Sequence, residues 1–386
     1  MQLSKRVENI APNILLSLED EKRARALKGE PVINLSAGTP DLPPDKHVME
    51  TLANACLDPE NYKYAISDSP QLTDAAVQWY SRRFGVSLEP GQITSVYGSQ
   101  EGIAHVGFPL CNPGDIVLVP DPGYPIFSFG PLMAGAQLFT MPLNEEKGYL
   151  IDFDAIDPAL ADKAKFMICS YPSNPCTARA NPEFYEKLVA FAKKHDIFVI
   201  HDNAYSELVL TGEPGGSFLQ TRGAVDIGME FNSLSKSYNL TGARISFALG
   251  NKKVIGALRK FRSQIDYGPF PAVQKAAIAA LSGPQDILER NRSEYRSRRD
   301  CLISGLRGAG WNVPDCDSTM FTWFPLPKGY TDDVAFTFDL LGKTGVICVP
   351  GSSFGEMGKG YVRFALVQPV EVLNKAVEYI SKSGIL

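Results

Sequence analysis

The sequence predicts an α/β protein, with a large domain on a mostly parallel sheet between helices and a smaller α+β domain. Three observations lead there. Short runs that are apolar throughout alternate with helical patterns through the middle of the chain, as strands buried on both faces of a parallel sheet do. After about residue 251 the texture changes to long, charge-rich helical patterns that run to Arg307, followed by three more apolar runs. The chain has 386 residues, 44% of them hydrophobic, enough for a sizeable core and long for one compact unit.

Each element has its own signal. "SVYGSQEGIAHVGF" (95–108) reads as a strand, a glycine turn and a helix, and "DIVLVPDP" (115–122) as a strand stopped by prolines. "KFMICSYP" (165–172) is a further strand. In "NPEFYEKLVAFAKKHD" (181–196) Asn181 is placed to cap a helix and Pro182 sits in its first turn. Phe184, Leu188, Phe191 and Ala192 then recur along one face. "IFVIHDNAY" (197–205), "DIGMEFNSLSK" (226–236) and "RISFALG" (244–250) read as strands. "MFTWFPLP" (320–327), "GVICVPG" (345–351) and "YVRFALV" (361–367) belong to the smaller domain. The division expected is an arm and part of the small domain over 1–45, the large domain over 46–285, and the small domain over 286–386.

Composition narrows the function. The net charge is -5 and no basic stripe is present, which disfavours nucleic acid and anionic membrane as partners. No apolar run approaches the roughly 18 residues of a membrane span, and the N-terminus lacks the pattern of a signal peptide. The seven cysteines are scattered, without a C-x-x-C pair, so a reducing cytoplasm is expected and a cysteine zinc site is not. "GKT" at 342–344 imitates the end of a phosphate loop, but Thr337 stands where its first glycine belongs and the segment before it reads as helix. His201 and Asp202 are neighbours on a strand and point to opposite faces, so they are not expected to act on one atom.

The chemistry gathers around "FNSLSKSYNLTGAR" (231–244). Lys236 stands among hydroxyls, with Arg244 eight residues on. A lysine amine can hold an aldehyde as a Schiff base, and pyridoxal 5'-phosphate (PLP) is the common protein-held aldehyde. That cofactor needs a cradle for a phosphate, a carboxylate for its ring nitrogen, donors for its phenolic oxygen and a flat side chain against its ring. Candidates for each occur at strand ends. Arg244, Ser233, Ser235 and the helix start at Ser99 and Gln100 suit a phosphate. Asp202 closes "IFVIHD" at the edge where ligands of parallel sheets bind. Tyr205 and Asn174 suit the phenolic oxygen, and Tyr124 the ring face. Taken singly, each has a plainer reading as a turn, cap or packing residue.

The ordered set "GSQEG", "DPGYP", "YPSNP", "HDNAY", "SLSKSYNLTGAR" and "YVRFALV" resembles the class I/II aminotransferases, PLP enzymes of fold type I. The wording is most similar to the LL-diaminopimelate aminotransferase group. The resemblance implies a seven-stranded large domain and a homodimer with shared sites. It implies ping-pong transfer of an amino group between an L-amino acid and a 2-oxo acid. Lys236 then holds the cofactor and shuttles a proton, Asp202 pairs with the ring nitrogen, and Tyr64 reaches the phosphate of the neighbouring subunit. Arg363 and the Gly38 backbone take the substrate carboxylate. No metal is implied.

The chain departs from the pattern at "NPCT" (174–177), at Thr73 where arginine is frequent, and at Tyr267 where diaminopimelate enzymes offer asparagine. Tyr267, Phe354 and "NILLSL" (13–18) are candidate side-chain pocket residues. A PLP-dependent β-lyase, or a regulatory module that borrows the fold, remains open at this point.

Overall fold

A computed structural model describes residues 14–386 apart from Pro214. The chain forms two compact units. One contains Thr39–Arg296 with Asp317–Thr319, and the other contains Gly38 and the described residues before it, Ser297–Cys316 and Met320–Leu386. The second division therefore falls inside the long helix Asp286–Gly308 rather than at its start. The short return of 317–319 has a local cause. Ser318 Oγ donates to the Thr177 carbonyl at 2.7 Å, and the amides of Leu210 and Thr319 pair with the carbonyls of Asp317 and Leu208.

The strands in chain order are β1 (Ile33–Asn34), β2 (Ile93–Val96), β3 (Ile116–Asp121), β4 (Gln137–Pro142), β5 (Ala164–Ser170) and β6 (Phe198–Asp202). They continue with β7 (Gly228–Ser233), β8 (Ser246–Gly250), β9 (Phe321–Pro325), β10 (Val346–Ile347), β11 (Val349–Pro350) and β12 (Tyr361–Ala365). The larger unit holds the seven-stranded sheet, in the order β2-β8-β7-β6-β5-β3-β4. Its strands run the same way except β8, which pairs antiparallel with both β2 and β7. Strand alternation sorts its side chains to two faces. Met167, Cys169, Val199, Phe247 and Leu249 enter one core, and Phe166, Ile168, Ile200, Phe231 and Ala248 the other.

β4 is a strand that the sequence reading does not anticipate. It lies at the sheet edge and is mostly exposed, so it lacks the unbroken apolar run that marks its neighbours. The expected strand over 226–236 is also shorter: β7 stops at Ser233, and Leu234–Ser237 turns into a single helical turn. The "GKT" decoy lies in the helix Asp333–Thr344, as expected.

The smaller unit contains the antiparallel sheet β11-β12-β9 and the parallel pair β1-β10. Trp311, Phe324, Phe336 and Phe364 pack together edge-on or tilted, with ring centroids 5.4 to 6.1 Å apart. Of the 13–18 stretch, Asn13 and the side chains of Leu15 and Leu16 lie outside the described residues. Leu18 is buried against Leu341 and Ile347, so it packs.

One buried charge anchors the turn after β6. Glu207 is fully buried, and Arg83, near the end of the helix Pro70–Phe84, grips it with Nε at 2.9 Å and Nη2 at 2.6 Å. Removing Arg83 takes the hydrogen-bonding fork from a fully buried carboxylate and leaves it facing Arg292 Nη1 at 3.8 Å, beyond hydrogen-bond reach. Arg83→Leu is expected to lower the free energy of unfolding by about 3 kcal/mol, read by urea denaturation. A change under about 1 kcal/mol, the range of an exposed pair, would contradict this account.

Candidate active site

Since β2, β3, β5, β6 and β7 share a direction, the loops after Val96, Asp121, Ser170, Asp202 and Ser233 leave from one edge of the sheet. β8 begins at that edge, with Ser246 opposite both Val96 and Ser233. Ser99, Gln100, Tyr124, Asn174, Tyr205, Ser235 and Lys236 follow these strand ends, Asp202 and Ser233 close β6 and β7, and Tyr64 and Tyr267 lie on other connections.

The turn after β2 gathers groups that suit an anion. Gly98, at φ 93°, precedes the helix Ser99–Leu110, whose first amides have no partner inside the helix and carry partial positive charge. Arg244, itself left-handed at φ 52°, reaches across to it. Its Nη2 donates to the Tyr97 carbonyl and its Nη1 to the Thr241 carbonyl, each at 3.1 Å. A Cβ on Gly98 would lie 2.3 Å from Nη2, so this guanidinium position requires glycine. The Ser99 hydroxyl is buried and makes no hydrogen bond among the described residues. Gln100 is exposed and accepts from the Tyr124 hydroxyl at 2.9 Å, which ties the loop after β3 to the same turn.

The lysine turn follows β7. Ser233 Oγ accepts from the Ser235 amide at 3.2 Å, capping the turn Leu234–Ser237, and from Ser246 Oγ at 2.7 Å. Thr241 Oγ1 donates to the Ser235 carbonyl at 2.9 Å. Lys236 is half-buried on this turn.

Asp202 ends β6 and is 6% exposed. Its Oδ1 is buried and accepts no hydrogen bond among the described residues. Burial pushes the carboxyl pKa up to about 7, while the charge of His201 pulls the other way. His201 itself faces elsewhere, with Nδ1 2.9 Å from Glu230 and Nε2 3.2 Å from the Tyr185 hydroxyl. Asn174 and Tyr205 are buried at their strand ends. The turn that carries Tyr205 is pinned by Asn203, which donates to the Gly216 carbonyl at 2.9 Å, and by Asn232, which donates to Ser206 Oγ at 3.1 Å.

Tyr64 stands apart from these groups. It is 83% exposed, with its ring edge-on to Tyr267 at 5.5 Å. The Tyr97 hydroxyl lies 3.1 Å from the Tyr267 carbonyl and 3.0 Å from that of Gly268. Beside them, Glu101, His105 and Asp266 bring ligand atoms within 4.8 Å of one another. The Arg262 guanidinium already lies 3.1 Å from Glu101 and 3.2 Å from Asp266, so this group is an ion-pair network.

In the smaller unit Arg363 lies on β12 and is 5% exposed. Its Nη2 donates to the Ser36 carbonyl at 3.1 Å, two residues from Gly38. Sequence reasoning missed Ser36, Ser246 and the Tyr97 carbonyl. Two of these act through backbone oxygen, which every residue carries, so no residue type could have flagged them.

The chain matches the family model for aminotransferase class I and II over residues 30–380. It belongs to the class I and II aminotransferases. An LL-diaminopimelate aminotransferase of Dehalococcoides mccartyi is 43% identical over 98% of this chain and 97% of its own. Substrate-bound BacF of Bacillus subtilis is 38% identical with a TM-score of 0.95, over 99% of this chain and 98% of its own. A probable N-succinyldiaminopimelate aminotransferase of Thermus thermophilus is 34% identical with a TM-score of 0.91, over 96% and 100%. The aminotransferase has the fold type I architecture expected from its sequence, and it transfers amino groups between amino acids and 2-oxo acids. No helix among the described residues is long and apolar enough to cross a membrane.

The raised pKa of Asp202 has a stability consequence. Burial penalises the charged form, so the folded, ligand-free enzyme holds this proton more tightly than the unfolded chain does. The stabilisation is complete below pH about 4, the unfolded value, and is lost as pH rises through about 7. Ligand-free Asp202→Asn is therefore expected to resist urea better than wild type at pH 8, with the advantage shrinking towards pH 4. An equal difference at both pH values would refute the assignment.

Proposed function

We propose that the enzyme holds PLP at this sheet edge and moves the amino group of LL-diaminopimelate, or of an amino acid close to it, to a 2-oxo acid by ping-pong transfer. The observation that carries the reading is Asp202, whose buried Oδ1 accepts no hydrogen bond among the described residues. A protonated pyridine nitrogen supplies both a donor and a compensating charge there. The phosphate suits the turn formed by Gly98, Ser99, Gln100 and Arg244, where another buried oxygen, Ser99 Oγ, also has no hydrogen-bond partner among the described residues. The diaminopimelate name carried by relatives over nearly the full chain supports the substrate.

When bound, PLP supplies an aldehyde carbon and a ring that draws electron density from the substrate α-carbon. Lys236 is the amine that holds that aldehyde carbon. Its free amine would be the group that takes and gives back the substrate α-proton. Asp202 keeps the ring nitrogen protonated, which gives the ring its electron demand. Asn174 and Tyr205 donate to the phenolic oxygen. Tyr124 would stack on the ring, and its hydrogen bond to Gln100 restricts its swing. Ser235 joins the phosphate set, and Ser233 shapes the lysine turn. Arg363 takes the substrate carboxylate as a fork, with the Gly38 backbone beside it. Tyr267 contributes towards the substrate side chain.

A homodimer completes the reading, with Tyr64 serving the phosphate of the partner subunit. Leu57, Tyr62, Tyr64 and Ile66 are each at least 67% exposed within one short stretch, the mark of a surface that another protein covers. None of the seven cysteines forms a disulfide among the described residues, which supports a cytoplasmic setting.

Purified enzyme should be yellow and Lys236→Ala should lose the visible band of the bound aldehyde. A wild type that stays colourless with added PLP would defeat the cofactor assignment. In single-turnover amino transfer against alanine, aspartate, glutamate, methionine, aromatic amino acids and LL-diaminopimelate, the last should react fastest. A faster reaction with another donor would reassign the substrate. Sedimentation of active enzyme as a monomer would remove the role given to Tyr64.

A further inference from the structure

One face of the β9-β12-β11 sheet is aromatic. Tyr361, Arg363 and Ala365 share it by strand alternation, and the partner of Arg363 on β9 is Trp323. Trp323 stacks on Tyr361 at 5.1 Å with the planes 3° apart, and Phe354 stands edge-on to Trp323 at 6.0 Å. The Arg363 Cζ lies 4.1 Å from the ring centroid of Phe321 and 4.7 Å from that of Phe354.

Both rings are held by their surroundings. A Cβ on Gly351 would lie 2.0 Å from the Gly358 carbonyl, and one on Gly358 would lie 2.1 Å from the Gly351 carbonyl. Only a glycine pair lets the loop carrying Phe354 close this tightly. Within it, the Ser352 amide donates to Asp333 Oδ2 at 2.7 Å. Phe354 is 7% exposed. On the Phe321 side, a Cβ on Gly38 would come 2.9 Å from the ring.

We propose that Phe354 and Phe321 are positioning residues that clamp the Arg363 guanidinium for the substrate α-carboxylate. Phe354 then acts on every substrate alike, and not on the side chain of one. The inference rests on the reading of Arg363 as the carboxylate partner. Ring faces attract a cation through their quadrupole, most strongly when water is kept away, and the same exclusion of water strengthens the ion pair with the incoming carboxylate. A side-chain pocket residue discriminates between substrates. A clamp on Arg363 does not, because each amino acid and each 2-oxo acid brings the same carboxylate.

The test measures KM and kcat of the holoenzyme with several amino donors of different side chains and with the 2-oxo acid acceptor. Phe354→Leu is expected to raise every KM by a common factor of about tenfold, with kcat little changed, and Phe354→Tyr to keep the wild-type values. Phenylalanines carrying one, two or three ring fluorines, placed at position 354, separate the ring's electrostatics from its shape. KM should rise stepwise with fluorine number while the thermal midpoint stays constant. A flat series, or a factor that depends on the donor side chain, overturns the clamp. Arg363→Gln separates the two levels of the argument. If it leaves KM unchanged, the carboxylate reading itself fails. If it raises KM for all substrates while the Leu variant and the fluorine series do not, only the clamp fails.

Discussion

A parallel strand hands its chain on only at its C-terminal end, and this constraint organises the larger unit of the aminotransferase. β2, β3, β5, β6 and β7 deliver their following residues to one edge. Groups as far apart in sequence as Ser99, Tyr124, Asn174, Asp202 and Lys236 become neighbours in the sheet order without any long excursion. β8 makes the exception useful. Running against its neighbours, it starts where they end, and the residues just before it bring Arg244 back to the turn after β2.

The interior treats its charges in two ways. Glu230 and Glu207 are as buried as Asp202 but well supplied. Glu230 accepts from Tyr80, Ser217 and the Phe218 amide and faces His201, and Glu207 is gripped by Arg83. These carboxylates are paid up in hydrogen bonds and serve the scaffold. Asp202 sits one residue from His201 on the same strand, yet its Oδ1 accepts no hydrogen bond among the described residues. Buried acids are normally satisfied, and the contrast with Glu207 and Glu230 is what supports the role proposed for Asp202.

Much of this was legible in the sequence, and the limits have physical causes. Buried parallel strands announce themselves as apolar runs, so β3, β5, β6, β7 and β8 could be read directly, and with them the strand-end residues. β4 could not, because an exposed edge strand carries no such run. Lys236, Asp202 and Arg244 are chemically marked residue types at marked places. Phe321 and Phe354 carry no mark: a phenylalanine over a guanidinium and one in a core look the same in sequence. Phe354 could be guessed as a pocket residue, but its contact with Arg363 depends on a loop closed by glycines seven residues apart. The unit boundary inside Asp286–Gly308 was hidden for a related reason, since a continuous helix gives no punctuation where packing changes partner.

The contact between Gly98 and Arg244 has a kinetic and entropic side. A free arginine side chain carries about 2 kcal/mol of rotamer entropy, which an anion must normally extract on binding. Here the two backbone carbonyls of Tyr97 and Thr241 have already arrested the guanidinium against the glycine. An anion arriving there would meet a donor that has stopped moving, its ordering completed when the chain folded rather than at each encounter.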